Sequence, residues 1–184
     1  MKDCNHSSAA LKSAIIENKS FPYERALYGI SDTLVRNCAF AGEEDGESAL
    51  KECRDIQLDG CYMDLRYPMW HTEGLKLNNC ELTSNCRAAL WYSDGIYAKG
   101  CKFHGIKAFR ECSNISLNDC DIVSPEFGWR CSDIAIGDCK LSGEYAFFES
   151  KNLKISNLDF SGKYSFQYIS DMSISRSTLK TKDA

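Results

Sequence analysis

The sequence has no apolar run of 18 residues, three prolines, three histidines and no cluster of Lys or Arg, and each shortage removes a class of protein. Without an 18-residue apolar stretch there is no candidate membrane helix. With 22 Lys and Arg against 26 Asp and Glu, a net charge of -4 and no basic stripe, no nucleic-acid partner is expected. The opening residues, MKDCNHSSAA, lack the apolar segment of a secretory signal, so a cytoplasmic chain is expected. Few prolines beside 43% apolar residues describe one ordered domain rather than a set of linkers. His6, His71 and His104 lie too far apart to build a histidine metal site, and neither metal nor cofactor is expected.

What is abundant is cysteine. The eleven residues are odd in number, contain no C-x-x-C pair and follow a repeat, so reduced thiols are expected rather than a disulfide scaffold. The repeat is a frame of apolar, any, apolar, any, any, Cys, any, apolar. It starts at Thr33 (Val35, Cys38, Phe40), Ile56 (Leu58, Cys61, Met63), Leu75 (Leu77, Cys80, Leu82) and Ile96 (Ala98, Cys101, Phe103). It continues at Ile115 (Leu117, Cys120, Ile122) and Ile134 (Ile136, Cys139, Leu141). The frames at Leu153 (Ile155, Leu158, Phe160) and Met172 (Ile174, Ser177, Leu179) keep the apolar positions without Cys. Steps between frames are 23, 19 and 21 residues and then 19 four times.

Apolar residues alternating at period two predict a strand in each frame. Turn residues precede the frame (Ser31-Asp32, Arg54-Asp55, Ser132-Asp133, Ser170-Asp171), interrupt it before the Cys (Asp59-Gly60, Asn118-Asp119, Gly137-Asp138) and follow it (His104-Gly105, Ser142-Gly143). Gly, Asn and Asp tolerate positive φ, so each cluster bends the chain between short strands. Three bends and three strands per repeat predict a single-stranded right-handed parallel β-helix of about eight coils of 19–23 residues, with three sheets around one core. At about 4.8 Å per coil the rod is roughly 40 Å long. A leucine-rich repeat competes, since Cys53, Ile56, Leu58, Cys61 and Met63 fit its pattern, but its first Leu position is poorly kept and a 19-residue step is short for it. The third strand is expected to carry a large core residue in every coil: Leu27, Leu50, Trp70, Leu90, Phe109, Trp129, Phe147 and Phe166. Residues 1–20 are read as an N-terminal cap, with a short amphipathic helix over Ser8–Glu17, and residues 21–184 as the β-helix.

Glu24-Arg25-Ala26-Leu27, the stretch from Asp45 to Glu52, Tyr67-Pro68-Met69-Trp70 and Tyr164-Ser165-Phe166 resemble the bacterial pectin-lyase-like family called domain of unknown function 3737, from about Ile16 onward. The resemblance implies a right-handed β-helix in a bacterial cytoplasm, no established activity, and chains that usually run several coils longer.

The stacked column Cys38, Cys61, Cys80, Cys101, Cys120 and Cys139, with a shorter one at Cys112 and Cys131, reads as small buried side chains rather than a soft-metal site. Asp32, Asp55, Asp59, Asp119, Asp133, Asp138 and Asp171 read as turn residues. No Asn-Thr-Asp, Asp-Asp or Gly-His-Gly sequence, as pectin hydrolases carry, is present. The remaining candidate for saccharide binding is a surface column of Lys51, Glu52, His71, Trp91, Tyr92, Arg110, Glu111, Arg130 and Glu149. On that reading the chain binds or modifies a carbohydrate, and removing Trp91 or Arg110 weakens binding with little loss of stability. The alternative is a non-catalytic scaffold that binds another protein through its repetitive face or open end. Two carboxylates gathered near Arg110 in a groove support the first; a flat, internally paired surface supports the second. The last coil, with Met172, Ile174 and Leu179, is expected either to continue in a longer protein or to pair two copies as a homodimer through Asp171–Ala184.

Overall fold

The computed structural model describes residues 14–42 and 49–183, and they form a β-solenoid of two nine-stranded parallel sheets. The first sheet runs from Ala14–Glu17 through Thr33–Arg36 and Arg54–Asp59 to Ser170–Ser175. The second runs from Ser20–Phe21 through Ala39–Ala41 and Tyr62–Asp64 to Thr178–Lys182. Successive strands alternate between sheets, so each pairs only with its equivalents one coil away. The frame positions stack in register: Val35 on Leu58, Leu58 on Leu77, Leu77 on Ala98 and Ala98 on Leu117.

Nine coils replace the expected eight because Ala14, Ile16 and Phe21 complete a further frame in which Lys19 stands at the Cys position. Ile16 pairs with Val35 and Phe21 with Phe40. Among the described residues the solenoid thus already includes Ala14–Glu17, ahead of residue 21. Ala14–Glu17 is strand, not the end of a helix, and the rest of the expected cap helix lies outside the described residues.

The third side is not a sheet. Its large residues take a left-handed backbone, with φ of 58° at Met69, 60° at Leu90, 58° at Phe109 and 62° at Phe147, and so do His71, Tyr92, Glu111 and Glu149 two residues on. A single residue lies between the two bends, and there Trp91 bridges to Arg110 and Arg110 to Trp129. Left-handed backbone costs a non-glycine residue about 1–2 kcal/mol. Each bend holds because inter-coil bonds recur there, as from Leu90 N–H to Pro68 O at 3.0 Å and from Phe109 N–H to Ala89 O at 3.0 Å.

This geometry shifts the register of the large-residue column at two places. Met69 and Gly128, not Trp70 and Trp129, share the column with Leu50, Leu90, Phe109 and Phe147, as Met69 N–H bonds Ala49 O and Gly128 N–H bonds Ala108 O. Trp70 and Trp129 belong to the next, outward-facing position. In the Gly128 coil the usual small–large order is inverted: Phe127 fills the core from the preceding position, between Phe109 and Phe147 at centroid distances of 5.3 and 5.4 Å. Gly128 has φ +69°, and a Cβ there would lie 3.1 Å from Phe147 Cδ1.

The column from Cys38 to Cys139 faces inward, each residue at most 3% exposed, and the ten described cysteines are free thiols. They do more than fill space. Each Sγ–H donates to the carbonyl two residues back, with Sγ···O of 3.3 Å for Cys38, 3.4 Å for Cys80, 3.2 Å for Cys120 and 3.1 Å for Cys139. Ser177 continues the column with the same bond at 2.8 Å. Ser93, Cys112, Cys131 and Ser150 supply equivalent donors at a second corner, and Ser124 and Ser165 at the third. Burial pushes the Cys53 and Cys86 thiols up to about 11, which keeps them protonated donors at neutral pH.

Asp32, Asp55, Asp119, Asp133, Asp138 and Asp171 occupy left-handed bends, with φ between 49° and 59°. Asp59 does not. It ends a strand, pairs with Asn78, and accepts hydrogen bonds from Gln57 Nε2 at 2.9 Å and Asn78 Nδ2 at 2.8 Å, while Gly60 takes the bend.

Candidate functional site

The third side places all nine candidate residues on one strip, as two adjacent columns. Between the bends lies an inner column of Lys51, Trp70, Trp91, Arg110, Trp129 and Phe148; on the second bend lies an outer column of Glu52, His71, Tyr92, Glu111, Arg130 and Glu149. Trp70, Trp129 and Phe148 were missed because the first two were placed in the core. The detectable signal is a register test: each is followed by a bend residue and then by a buried small residue, Thr72, Cys131 or Ser150.

The inner column is a stack along the rod. Trp70 and Trp91 lie 5.0 Å apart at an interplanar angle of 4°. The Arg110 guanidinium sits between two indoles, 5.0 Å from the Trp91 centroid and 5.7 Å from that of Trp129. Trp129 meets Phe148 at 5.2 Å. Each indole N–H is also spent on the backbone, Trp70 on Ala88 O at 2.6 Å, Trp91 on Lys107 O at 2.7 Å and Trp129 on Tyr145 O at 2.6 Å. The rings are thus tied to the neighbouring coil at their polar edge and covered on the faces that meet their neighbours.

The outer column is paired likewise. His71 stacks on Tyr92 at 5.1 Å. Arg130 lies between two carboxylates, 2.8 Å from Glu149 and 4.0 Å from Glu111, and Glu149 raises its pKa through that hydrogen bond. Arg110 Nε reaches Glu111 only at 3.6 Å and has no hydrogen-bond partner, so the indole faces hold this guanidinium. The Glu52 carboxylate, accepting from the Tyr28 hydroxyl, raises its pKa.

This surface is poorly suited to glycoside hydrolysis, which needs two free carboxyl groups flanking a substrate bond, one of them kept protonated. Glu111 and Glu149 both face Arg130 instead. Asp94, on another corner, is shifted the opposite way, downward, by hydrogen bonds from Ser113 and Asn114. Among the described residues no three His, Cys, Asp or Glu side chains gather to hold a metal ion. A separate open concavity of about 580 Å³ lies on the outer face of the first sheet, where Ala135 and Ser173 are small, with Asp133, Asn152 and Asp171 on its rim and Lys154 within it.

A family model described as "Protein of unknown function (DUF3737)" matches residues 14–184. The chain belongs to that family. No curated protein and no solved structure matches it. For this DUF3737 chain the resemblance read from Glu24–Leu27, Tyr67–Trp70 and Tyr164–Phe166 therefore holds at the level of the family, and the β-solenoid of parallel sheets agrees with the expected architecture. The leucine-rich-repeat alternative is set aside by the second nine-stranded parallel sheet, which such a repeat does not build.

Proposed function

We propose that this protein is a non-catalytic β-solenoid that binds another protein through the aromatic and charged strip of its third side. The observation that carries this reading is the internal pairing of the strip: Arg110 lies between Trp91 and Trp129, and Arg130 between Glu111 and Glu149. The strip offers a prearranged surface in which Glu111 and Glu149 are both paired with Arg130. Its exposed members include Tyr92 at 41% and Tyr168 at 78%, the latter continuing the outer column after Glu149 with φ of 57°, and Trp, Tyr and Arg are the residue types that dominate protein interfaces. A photo-crosslinking residue in place of Tyr92 or Tyr168, compared with one in place of Tyr62 on the second sheet, tests it. A discrete protein adduct from the third side only is expected; equal labelling from Tyr62 refutes the assignment.

Carbohydrate binding is the second reading, and the concavity edged by Asp133, Asn152 and Asp171 favours it more than the original column does. The pectin-lyase-like kinship, right-handed winding and bacterial cytoplasmic setting implied by the resemblance belong to this proposal too. A glycan array distinguishes the readings: retention of one saccharide class, lost in Lys154→Ala and kept in Tyr92→Ala, supports the carbohydrate reading over the scaffold.

A further inference from the structure

The Cys column exceeds what its hydrogen bonds require. Ser93, Ser124, Ser150 and Ser165 make the same kind of bond at the same depth, all at most 2% exposed, so neither burial nor donation demands sulfur. Yet six successive coils place a thiol at one corner, Cys38, Cys61, Cys80, Cys101, Cys120 and Cys139. The column is continuous, because Cys61 O accepts from Glu81 N–H at 2.9 Å, Cys80 O from Lys102 N–H at 2.9 Å and Cys120 O from Lys140 N–H at 3.0 Å. Neighbouring cysteines are therefore one strand spacing apart, about 4.8 Å. The sulfur atoms reach back to the preceding coil: Cys80 N–H points at Cys101 Sγ and Cys120 N–H at Cys139 Sγ, both at 3.4 Å.

We propose that this thiol column is a binding site for soft d10 monovalent cations, Cu(I) or Ag(I), each held two-coordinate between the sulfur atoms of adjacent coils. Thiolate ligands select such ions over harder ones. Two metal–sulfur bonds of about 2.3 Å end to end span about 4.6 Å, close to the coil spacing, whereas a tetrahedral site needs ligands from more directions than a column offers. The absence of a three-ligand cluster among the described residues is thus no obstacle. Charge balances as well. Each cation replaces one thiol proton, an S–H beside a second sulfur becoming S–M–S with the proton released to solvent, and no oxidant or reductant takes part. Filling the five intervals between six thiols leaves one proton behind and the column neutral, as an apolar core requires. Cys112 and Cys131 form one further interval, with Cys112 N–H 3.4 Å from Cys131 Sγ.

Ag(I), which is not redox-active here, is the probe. The reduced chain is titrated without oxygen, in the presence of a monothiol competitor that removes singly bound metal. Uptake of up to six equivalents is expected, one for each interval, with a thiolate-to-metal absorption band, one proton released per cation and an unchanged β-sheet circular dichroism spectrum. Cys80→Ser with Cys101→Ser keeps donors in the column but breaks three intervals, and should halve the uptake. Cys120→Ser alone breaks two and should lower it by a third. Cys53→Ser with Cys86→Ser should leave it unchanged, because Cys53 is followed at its corner by Thr72 and Ser93 and so forms no thiol–thiol interval. Failure of the folded chain to retain Ag(I), uptake only as the β signal is lost, or equal uptake by the Cys120 variant overturns the proposal.

Discussion

Replacing Arg110 by Ala separates a structural ladder from a ligand-binding one. In the chain the guanidinium bridges two indoles, 5.0 Å from Trp91 and 5.7 Å from Trp129, with Glu111 at 3.6 Å. A cation–π contact contributes about 0.5–1 kcal/mol at exposed sites and about 2 or more when desolvated, and an exposed ion pair about 0–1. Arg110 is only partly exposed, 24% in its side chain, so the two ring contacts dominate and a loss of about 2 kcal/mol is expected. For a chain of 184 residues, at about 2–4 °C per kcal/mol, this lowers Tm by roughly 4–8 °C. Arg110→Lys keeps the charge but not the flat sandwich and should fall in between. Thermal unfolding followed by circular dichroism, with tryptophan emission reporting the exposed ring faces, is the assay. A Tm for Arg110→Ala within about 1 °C of the parent refutes the structural account and revives the expectation that this residue is free to serve a ligand.

Other consequences follow from the corners and the core. Cys80→Ala leaves Leu58 O and Asn78 O, each 3.4 Å from the thiol, without this donor and should cost about 1 kcal/mol in denaturant unfolding, while Cys80→Ser should cost clearly less. Gly128→Ala should destabilise, since φ is +69° and the added Cβ crowds Phe147; Phe127→Ala with Gly128→Phe restores the order of the neighbouring coils and should recover much of the loss that Phe127→Ala alone causes. Cys53 and Cys86 have thiol pKa values raised from 9.0 to about 11, so the folded state holds protons that the unfolded state has lost; their stabilisation is intact below pH 9 and falls as pH rises to 11, a decline that Cys53→Ser with Cys86→Ser should flatten in pH-dependent melts. Ser170–Ser175 and Thr178–Lys182 are sheet edges with Met172 45% and Leu179 41% exposed, and we propose that two copies of this chain pair there; light scattering showing a monomer at tens of micromolar sets this aside.

The two sheets were legible because their strands alternate in and out at period two, which a single pass along the sequence detects. Val35, Leu58, Leu77 and Leu117 are buried where that alternation puts them. The third side was not legible by the same rule, because left-handed residues at Leu90 and Tyr92, or Phe109 and Glu111, break the alternation. A strand template laid over Met69-Trp70 or Gly128-Trp129 chooses the larger ring as the core residue; the bend instead buries Met69 in one coil and Phe127 in the other. The ninth coil escaped because a frame defined by Cys does not recognise Lys19 in that place. The surface column was legible as a column, since stacking follows from the repeat length alone. Its internal pairing was not, because whether an indole face is free depends on side-chain direction rather than on spacing.

That pairing also bears on what the strip can do. An enzyme site normally keeps some groups poorly satisfied, with perturbed carboxylates, uncovered donors or strained backbone aimed at a substrate. Here the strained backbone is present in every coil, at Leu90 and Tyr92 as at Phe147 and Glu149, so strain marks the corner and not a particular reaction centre. The polar groups beside it are mostly consumed within the stack, the indole N–H groups by carbonyls and Arg130 by Glu149. Arg110 Nε makes no hydrogen bond, and it is buried against the indoles rather than presented to solvent. A ligand that sought this guanidinium would first have to part Trp91 from Trp129, at a cost that a pre-formed catalytic site avoids. A partner that lies across the exposed ring edges and the Tyr92 and Tyr168 side chains needs no such opening. The same geometry supports the proposed reading of the strip as a recognition surface.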